Sequence, residues 1–447
     1  MIGPAFADRG GPAASTGAGE TAWVPGGHGR SPYDRAQRPG GEPHPVRRRS
    51  PPDPATSGPH GRTSSMPVTR TLPTDESRAL LDLTREITAR EIIPRSAADE
   101  AAGRFPREVF ETLGAAGLLS LPYAEEYGGG QQPYEVYLQV LEELAAGWLA
   151  IGLGVSVHTL ACHPLATFGT TEQRDAHLPA MLSGDLLGAY CLSEPHSGSD
   201  AAALSTKAVA DDDEYVLTGT KAWITHGGVA DFYTVLARTS PEGSRGISAF
   251  LVDAGTPGLA AAAPEHKMGM RSSPTAQIHL DGARVPARRR IGAEGQGFPI
   301  ALAALDCGRL GIAACATGVA QAALELASDY AKNRSQFGGP IADKQGIRFM
   351  LADMATAIEA GRALYLSAAR LRDAGLPFGR QAAMAKLFCT DAVMRVTIDA
   401  VQILGGYGYT TDFPAERYLR EAKCLQIVEG TNQIQRMVIA RDLLLHG

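Results

Sequence analysis

Tyr215-Val216-Leu217-Thr218 is the first of four short segments whose composition is typical of β-strands. The others run from Phe232 to Ala237, from Ile247 to Val252 and from Ala276 to Leu280. β-Branched and aromatic residues between turn signals favour strands. Residues 186–292 are therefore predicted to form a small β domain, a barrel or a sandwich. The turn signals are Asp211-Asp212-Asp213-Glu214, a predicted hairpin tip, and Asp281-Gly282, a predicted second turn.

The chain on either side of this region has the periodicity of helices. From Asp75 to about Gly184 apolar residues recur with a period near 3.6, and Pro94 is predicted to end the first helix. After Gly297 four long helices are expected, which favours a four-helix bundle. The chain is thus predicted to be an α+β protein with an all-α domain over 66–185 and a helical bundle over 293–447. The apolar positions are Leu80, Leu81, Leu83, Ile87 and Ile92 in the first helix, Ile347, Met350, Leu351, Met354 and Ile358 in one bundle helix, and Met384, Leu387, Phe388, Val393 and Val396 in another.

Residues 1–65 differ in composition from the rest of the chain. They are rich in Gly, Pro, Ser and Arg and lack helical or strand periodicity. Such a segment cannot bury enough apolar surface to offset its ordering entropy, which predicts disorder. The alternative is a start site placed too early, with Met66 as the true first residue. Pro51 and Pro52 follow an arginine run where an export signal would need apolar residues, so export is not expected.

Bulk composition excludes several classes of protein. The 447 residues are 44% hydrophobic and 20% charged, as in globular proteins of two or three packed units. A net charge of -6 and a pI near 6.0 provide no basic field for nucleic acid or anionic lipid. No run of about 18 apolar residues was found, so no membrane span is expected. Six scattered cysteines without a Cys-x-x-Cys pair favour a reducing cytoplasm.

Two segments together resemble the acyl-CoA dehydrogenase family. The first is Ala189-Tyr190-Cys191-Leu192-Ser193-Glu194-Pro195-His196-Ser197-Gly198-Ser199-Asp200, followed by Lys221-Ala222-Trp223-Ile224-Thr225. The second is Gln402-Ile403-Leu404-Gly405-Gly406-Tyr407-Gly408, followed by Ile427-Val428-Glu429-Gly430-Thr431-Asn432-Gln433-Ile434-Gln435-Arg436. The resemblance runs from roughly Thr74 to the C-terminus. It implies FAD as cofactor, an acyl-CoA as substrate and an electron-transfer flavoprotein as electron acceptor.

Glu429 is the catalytic base that the resemblance implies. The α-proton of a thioester is a weak acid, so a carboxylate that removes it needs a pKa raised by desolvation and fixed donors for the developing charge. Glu429 lies at a helix end before Gly430, and Asn432 with Gln435 has the spacing of a capping box. A helix-terminal carboxylate with a purely structural role is the alternative.

A second position supports this choice. One branch of the family carries its base in an Asp-x-x-Arg turn that opens the first long bundle helix, and here that turn is Asp306-Cys307-Gly308-Arg309. Gly308 stands where the other base would be, so only one of the two positions, that of Glu429, carries a possible base. The resemblance implies that Asp306, Arg309, Ser199 and Gly430 contact the substrate. A capping aspartate, a surface arginine and a turn-forming serine are the alternatives for the first three.

The flavin surroundings are also implied by the resemblance. Ser193 and Thr225 are expected to hydrogen-bond the flavin edge, Trp223 to cover one face of the ring, and Tyr190 and Leu192 to line the site. A flavin that accepts hydride needs donors and a cover that excludes water. Thr431 and Gln433 are further implied FAD contacts. Trp223 as an ordinary core aromatic remains the alternative.

The remaining FAD contacts imply a shared site and hence a homotetramer. Arg334 is expected to reach the FAD pyrophosphate of a neighbouring subunit, with Phe337 against adenine and Gln345 nearby. Gln402, Gly405 and Gly406 would approach the ADP portion from the other chain, since glycines permit close backbone approach. A flexible interhelical loop is the alternative for the glycines, and no βαβ unit surrounds them to make a dinucleotide-binding fingerprint.

The sequence also contains a possible metal-site spacing, and it leaves alternative functions open. His158, Cys162 and His163 have a spacing that suits two metal ligands, but no further Cys or His completes a set, so no metal is expected. The alternatives are an acyl-CoA oxidase, a nitroalkane-oxidising enzyme, a dehydrogenase of carrier-protein-bound acyl groups and a flavin-binding scaffold. Val428 replaces a tyrosine that is frequent before the base, which leaves more room near the reacting carbons.

Overall fold

The structure is a computed structural model that describes residues 68–446. The interpretation of residues 1–65 as a disordered or wrongly started extension lies outside the described residues. Within 68–446 the order is helices, then strands, then helices, which confirms the predicted fold class.

The first helical region begins at an N-cap in which Thr74 Oγ1 accepts a hydrogen bond from the N–H of Ser77. The prediction that Pro94 ends the first helix is wrong. A π-helical turn at Thr88–Ile92 carries the helix onward, and Pro94 lies in the first turn of the next helix, where its missing N–H is not needed. The helices are α1 (Asp75–Ile87), α2 (Ile93–Ala102), α3 (Arg107–Ala115), α4 (Tyr134–Gly147), α5 (Leu149–Phe168) and α6 (Thr171–Leu182).

An eight-stranded sheet forms the middle region. Its order is β6-β7-β3-β2-β4-β5-β8, and β1 pairs in parallel with β4. The predicted hairpin tip is confirmed, since Asp211 pairs with Glu214 across the β2–β3 turn. Asp281-Gly282 does not end a strand: it lies within β7 beside a register shift opposite Leu217 and Gly219. The strands are β1 (Gly188–Cys191), β2 (Lys207–Asp211), β3 (Glu214–Thr225), β4 (Phe232–Arg238), β5 (Ile247–Asp253), β6 (Leu259–Ala261), β7 (Thr275–Pro286) and β8 (Arg290–Ile291).

The last region holds five helices where four were predicted. The additional helix is short and precedes Glu429. The helices are α7 (Gly297–Asn333), α8 (Gln345–Asp373), α9 (Gly379–Leu404), α10 (Ala415–Leu425) and α11 (Asn432–His446), and a two-stranded hairpin, β9 (Ser335–Gln336) with β10 (Gly339–Pro340), lies between α7 and α8.

The longest helix, α7, joins the two helical regions. It packs against α4 and α5 on one side and against α8 and α9 on the other. One apolar core therefore runs through both helical regions, with Leu141, Leu310 and Val393 all buried in it. A buried ion cluster adds to this contact, because Glu142 of α4 accepts hydrogen bonds from Arg70 at 2.9 Å and from Arg362 of α8 at 2.7 Å. These cations hold the pKa of Glu142 down at about 2 against the effect of burial.

Two helices of this core, α5 and α7, are long and apolar enough to cross a membrane by length and composition. In the fold, 89% of the apolar window of α5 and 67% of that of α7 are buried against other elements. Both helices are thus placed as core helices of a packed domain.

Candidate active site

Glu429 lies in a tight turn between α10 and α11. Its φ is 52° and that of Gly430 is 88°, so two successive residues have left-handed backbone, which a glutamate rarely adopts. Gln435 holds this turn, because its Nε2 donates to the carbonyl oxygens of Glu429 at 3.2 Å and Gly430 at 2.8 Å. The predicted capping box of Asn432 and Gln435 does not form: Thr431 caps α11 by accepting from the N–H of Ile434 at 3.3 Å, and the amide of Gln435 is bonded to the preceding turn instead.

The carboxylate of Glu429 is buried although the residue as a whole is only half-buried. Neither Oε1 nor Oε2 is exposed, and neither has a hydrogen-bond partner among residues 68–446. Burial raises the pKa of Glu429 to about 7, and the positive charges of Lys386 and Arg309 oppose that rise. A carboxyl group in this state is a base that can take and return a proton near neutral pH.

Gly308 of α7 faces this carboxylate. A Cβ built on Gly308 would lie 2.8 Å from Cδ of Glu429 and would overlap Oε2. Gly308 also lines a small cavity of about 10 Å³, which is room for a single water. The other wall residues are Pro122, Tyr123, Tyr134, Ser156, Thr159, Leu160, His163, Cys307 and Arg372.

The predicted substrate contacts Asp306 and Arg309 form an ion pair on α7, with Arg309 Nη1 2.5 Å from Asp306 Oδ1. The prediction that they lie in a turn opening this helix is wrong, because α7 begins at Gly297 and both residues are inside it. Neither alternative for them holds, since Asp306 caps no helix and Arg309 is buried. Arg309 contributes positive charge near Glu429, so the structure brings these two predicted residues together.

The predicted flavin residues lie on two neighbouring strand segments. Tyr190 is on β1, and Ser193 follows that strand. The backbone carbonyl of Ser193 accepts a hydrogen bond from the N–H of Ala222 on β3 at 2.9 Å. That bond places Ser193 beside Trp223, and Thr225 ends the same strand. Leu192, between Tyr190 and Ser193, is buried. The structure therefore brings this part of the predicted set together.

Two of these residues have features that a bound flavin would explain. Trp223 is 64% exposed and has a φ of 64°, which is a strained conformation for an indole that is not packed in a core. The reading of Trp223 as a core aromatic is therefore wrong. The hydroxyl of Tyr190 is buried without a hydrogen-bond partner in the described part of the chain, and burial, with a smaller contribution from the charge of Glu429, raises its pKa.

The remaining predicted contacts near Glu429 are less constrained. The Oγ1 of Thr431 is engaged in the cap of α11, whereas Gln433 is exposed on the first turn of that helix. Ser199 is exposed in the loop after β1, next to a turn in which Ser197 Oγ donates to the carbonyl of Asp200 at 2.6 Å. Gln433 and Ser199 are thus accessible to a ligand, but no contact within the described range joins Ser199 to Glu429.

A second group of predicted cofactor residues lies on the loops at the far ends of α7 and α9. Phe337, in the β9–β10 hairpin, is 94% exposed with a φ of 51°. Arg334 lies with Cζ 6.0 Å from the ring centroid of Tyr407, so the loop after α7 meets the Gly405–Tyr409 turn. The other predicted members, Gln345, Gln402, Gly405 and Gly406, are exposed.

The side chains present are of the chemical types that bind FAD. An exposed indole and an unpaired buried hydroxyl suit a flavin ring, and a phosphate group would find a guanidinium at Arg334. A Cβ on Gly405 or Gly406 would meet nothing within 4 Å, so backbone there is open to a ligand.

Sequence reasoning missed Lys386, which donates from Nζ to the Gly430 carbonyl at 2.9 Å. It also missed the tyrosines that wall the cavity, because aromatic residues at helical spacing are usually core. The histidine considered as a metal ligand is engaged otherwise: His158 Nδ1 accepts from the N–H of Gly188 at 3.0 Å and Nε2 lies 3.0 Å from the carbonyl of Met181.

Comparisons with known proteins identify the family of the chain. The chain matches the models of the acyl-CoA dehydrogenase N-terminal domain over residues 74–185, middle domain over 189–283 and C-terminal domain over 295–444. An acyl-CoA dehydrogenase of Bacillus subtilis is 46% identical over 373 residues, which are 83% of this chain and 98% of that protein.

Two solved structures are similar over most of the chain. Butyryl-CoA dehydrogenase from Megasphaera elsdenii has a TM-score of 0.82 and 40% identity, and the match covers 84% of this chain and all of that one. A chain solved in a study of the electron transferring flavoprotein of Acidaminococcus fermentans has a TM-score of 0.83 and 42% identity, with the same coverage. The three matched domains and the relative that is 46% identical over 83% of the chain show that this chain belongs to the acyl-CoA dehydrogenase family, whose cofactor is FAD.

Proposed function

We propose that Glu429 is the catalytic base of this acyl-CoA dehydrogenase, in the α,β-dehydrogenation of an acyl-CoA thioester. The observation that carries this proposal is the buried, unpaired carboxylate with a pKa of about 7, which occupies the space that the missing side chain of Gly308 leaves. A base near neutrality is ionised often enough to act and basic enough to accept an α-proton as it leaves. The backbone N–H of Glu429 would hold the thioester oxygen.

In this arrangement the strands hold the cofactor and the turn before α11 supplies the base. FAD, when bound by Tyr190, Ser193, Trp223 and Thr225, supplies the acceptor for the hydride from carbon three. Glu429 approaches from the turn before α11 and takes the proton from carbon two. The Glu429 carboxylate is buried away from water, which strengthens the electrostatic interactions that it makes.

We propose a short acyl chain as substrate. The cavity beside Gly308 has room for about one water, and two tyrosines close it. Tyr123 Oη donates to the Thr159 carbonyl at 2.6 Å and Tyr134 Oη to the Cys307 carbonyl at 3.1 Å, so neither ring can swing away without losing a buried hydrogen bond. An acyl tail of many carbons would require these rings to move. The name of the Megasphaera elsdenii relative, a butyryl-CoA dehydrogenase, agrees with this size.

Electrons leave the reduced cofactor to an electron-transfer flavoprotein, as the family and the Acidaminococcus fermentans neighbour support. We further propose a homotetramer in the cytoplasm. Supporting the assembly, Phe337 and the C-terminal Leu444 and Leu445 are large apolar side chains left exposed in the single chain. Supporting the compartment, all six cysteines are free thiols. A fully FAD-loaded monomer by light scattering would contradict the tetramer.

The reaction and substrate class are tested by anaerobic titration with saturated acyl-CoAs. Butyryl-, hexanoyl-, octanoyl-, palmitoyl-, isobutyryl- and isovaleryl-CoA are added in turn, and the visible flavin absorbance is followed. Bleaching is expected with the short straight thioesters first. A yellow protein that none of them bleaches would instead favour an acyl group on a carrier protein, and butyryl-phosphopantetheine carrier protein is the probe for that outcome.

A further inference from the structure

Lys386 is a fully buried lysine in the first third of α9. Its Nζ donates to the Gly430 carbonyl at 2.9 Å and to Asn432 Oδ1 at 2.8 Å. No carboxylate lies within salt-bridge distance of this Nζ in the range 68–446. Burying an ammonium without a direct counter-ion is costly, so its retention needs a compensating use.

The partners of Lys386 belong to the turn that carries Glu429. The Gly430 carbonyl accepts from Lys386 and from Gln435 Nε2, the latter at 2.8 Å. Asn432 is tied to the same helix, because its Nδ2 donates to Asp391 Oδ1 at 2.7 Å. The left-handed backbone at Glu429 is thus held by contacts from α9 and α11, and a strained conformation persists only where its surroundings fix it.

We propose that Lys386 is a positioning residue for Glu429: its ammonium anchors the turn through the Gly430 carbonyl and places a fixed positive charge beside the base. The inference rests on the proposed role of Glu429 and adds a residue that the reaction needs but that touches neither substrate nor cofactor.

The charges around Lys386 determine the direction in which its loss would shift the pKa of Glu429. Glu429, Asp391 and Cys424 act on it with negative potential and Arg309 with positive potential. Burial lowers the pKa of Lys386 to about 8, so it is protonated over the range where Glu429 titrates. Its charge in turn lowers the pKa of Glu429 against the effect of burial. Without Lys386 the base would therefore become protonated at a higher pH.

A pair of variants separates the charge from the hydrogen bond. Lys386→Met removes the charge and the bond to the Gly430 carbonyl, while Gln435→Leu removes a bond to the same carbonyl with no change of charge. The pH profile of kcat/KM for butyryl-CoA is measured for both, with FAD absorbance and thermal midpoint as checks on folding. Both variants are expected to lose activity at pH 7. Only Lys386→Met is expected to move the acid limb upward, by about one pH unit or more.

Two results would overturn the proposal. One is an acid limb that stays in place in Lys386→Met. The other is an equal shift in both variants, which would show that distortion of the turn and not charge is responsible. If Lys386→Met does not fold, Lys386→Gln, a neutral donor of similar length, is tested by the same criterion. Retained activity in Glu429→Gln would instead show that the proposed function itself is wrong, so the two failures are distinguishable.

Discussion

Gly308 of α7 and Glu429 of the turn before α11 converge on one point, since a Cβ on Gly308 would overlap the carboxylate of Glu429. By the sequence resemblance, Gly308 is expected to occupy the position where another branch of the family carries its base. The two positions are far apart in sequence, yet they present a side chain to the same space. One carboxylate fills that space, so the absence of a side chain at 308 is what allows Glu429 to point inward.

Gly308→Ala is expected to displace the Glu429 carboxylate. The methyl group cannot be accommodated without moving either the side chain or the turn, and a base displaced by about 1 Å loses roughly 100-fold in rate. Measurement of kcat with butyryl-CoA checks this, with bound FAD as evidence of folding.

Gly255→Ala is the matched control, because a Cβ there meets nothing within 4 Å. It should keep full activity. If Gly308→Ala also kept full activity, the contact between these two residues would have no bearing on catalysis.

The pH dependence of the reaction follows from the raised pKa of Glu429. Only the ionised carboxylate is a base, and its pKa is about 7. Below that pH, kcat/KM should fall about tenfold for each pH unit. A profile measured from pH 4 to 9 with butyryl-CoA, whose acyl group does not titrate, tests this. An acid limb near 4.5, the ordinary value for a glutamate, would mean that the carboxylate is solvated in the working enzyme.

Glu421 of α10 is expected to make stability fall as pH rises. It is buried, both carboxylate oxygens lack hydrogen bonds within the described residues, and Arg417 Nε is 3.9 Å away. Burial, with a smaller contribution from Glu100, raises its pKa to about 8. Since the folded pKa exceeds the unfolded value of 4.5, the stability that this group contributes is complete below pH 4.5 and is lost between pH 4.5 and 8.

Glu421→Gln removes that loss, because the amide does not ionise. The difference in thermal midpoint between the variant and the parent should shift in favour of the variant as pH is raised from 5 to 8. Equal differences at both pH values would show that Glu421 titrates normally in the folded protein.

Leu160 is expected to limit acyl length together with the cavity tyrosines. It is buried on α5 and lines the cavity. Leu160→Ala removes wall atoms and should raise the ratio of kcat/KM for hexanoyl-CoA over butyryl-CoA about tenfold, which is a usual value for a methylene or two in an apolar pocket. Leu165→Ala, a buried leucine of the same helix that does not line the cavity, should lower the thermal midpoint but leave the ratio unchanged. A ratio that moves equally in both variants would place the acyl chain elsewhere.

The parts of the fold that could be predicted from sequence are those that local pattern determines. The strand segments from Phe232 and Ile247 appear as β4 and β5, because alternation and turn residues specify them locally. The prediction that Pro94 ends a helix is wrong because it used local pattern alone, and the turn expected at Asp306 to Arg309 came from the resemblance. A π-turn before Pro94 and the continuation of α7 from Gly297 depend on packing against other elements, which local signals do not contain.

The functional site, too, could be predicted from the sequence only in part. Glu429 and its turn were found from a motif, but Lys386 was not, although it stands in the buried face of α9 with Ala382, Cys389 and Val393 at helical spacing. The predicted stripe used Met384, Leu387 and Phe388, which are larger but only half-buried. The signal that could have identified Lys386 is a lysine at helical spacing with small apolar residues. Its partner at Gly430 is a backbone carbonyl, which no sequence pattern records.

The role of Glu429 is tested most directly by one anaerobic measurement on Glu429→Gln. The amide keeps the size of the side chain and removes the base, so the variant should bind FAD and butyryl-CoA yet fail to bleach the flavin, with the rate of reduction lowered by roughly 100-fold to 10,000-fold. Reduction at the parent rate in a variant with full FAD would contradict the account, because the proton at carbon two would then be removed by another group.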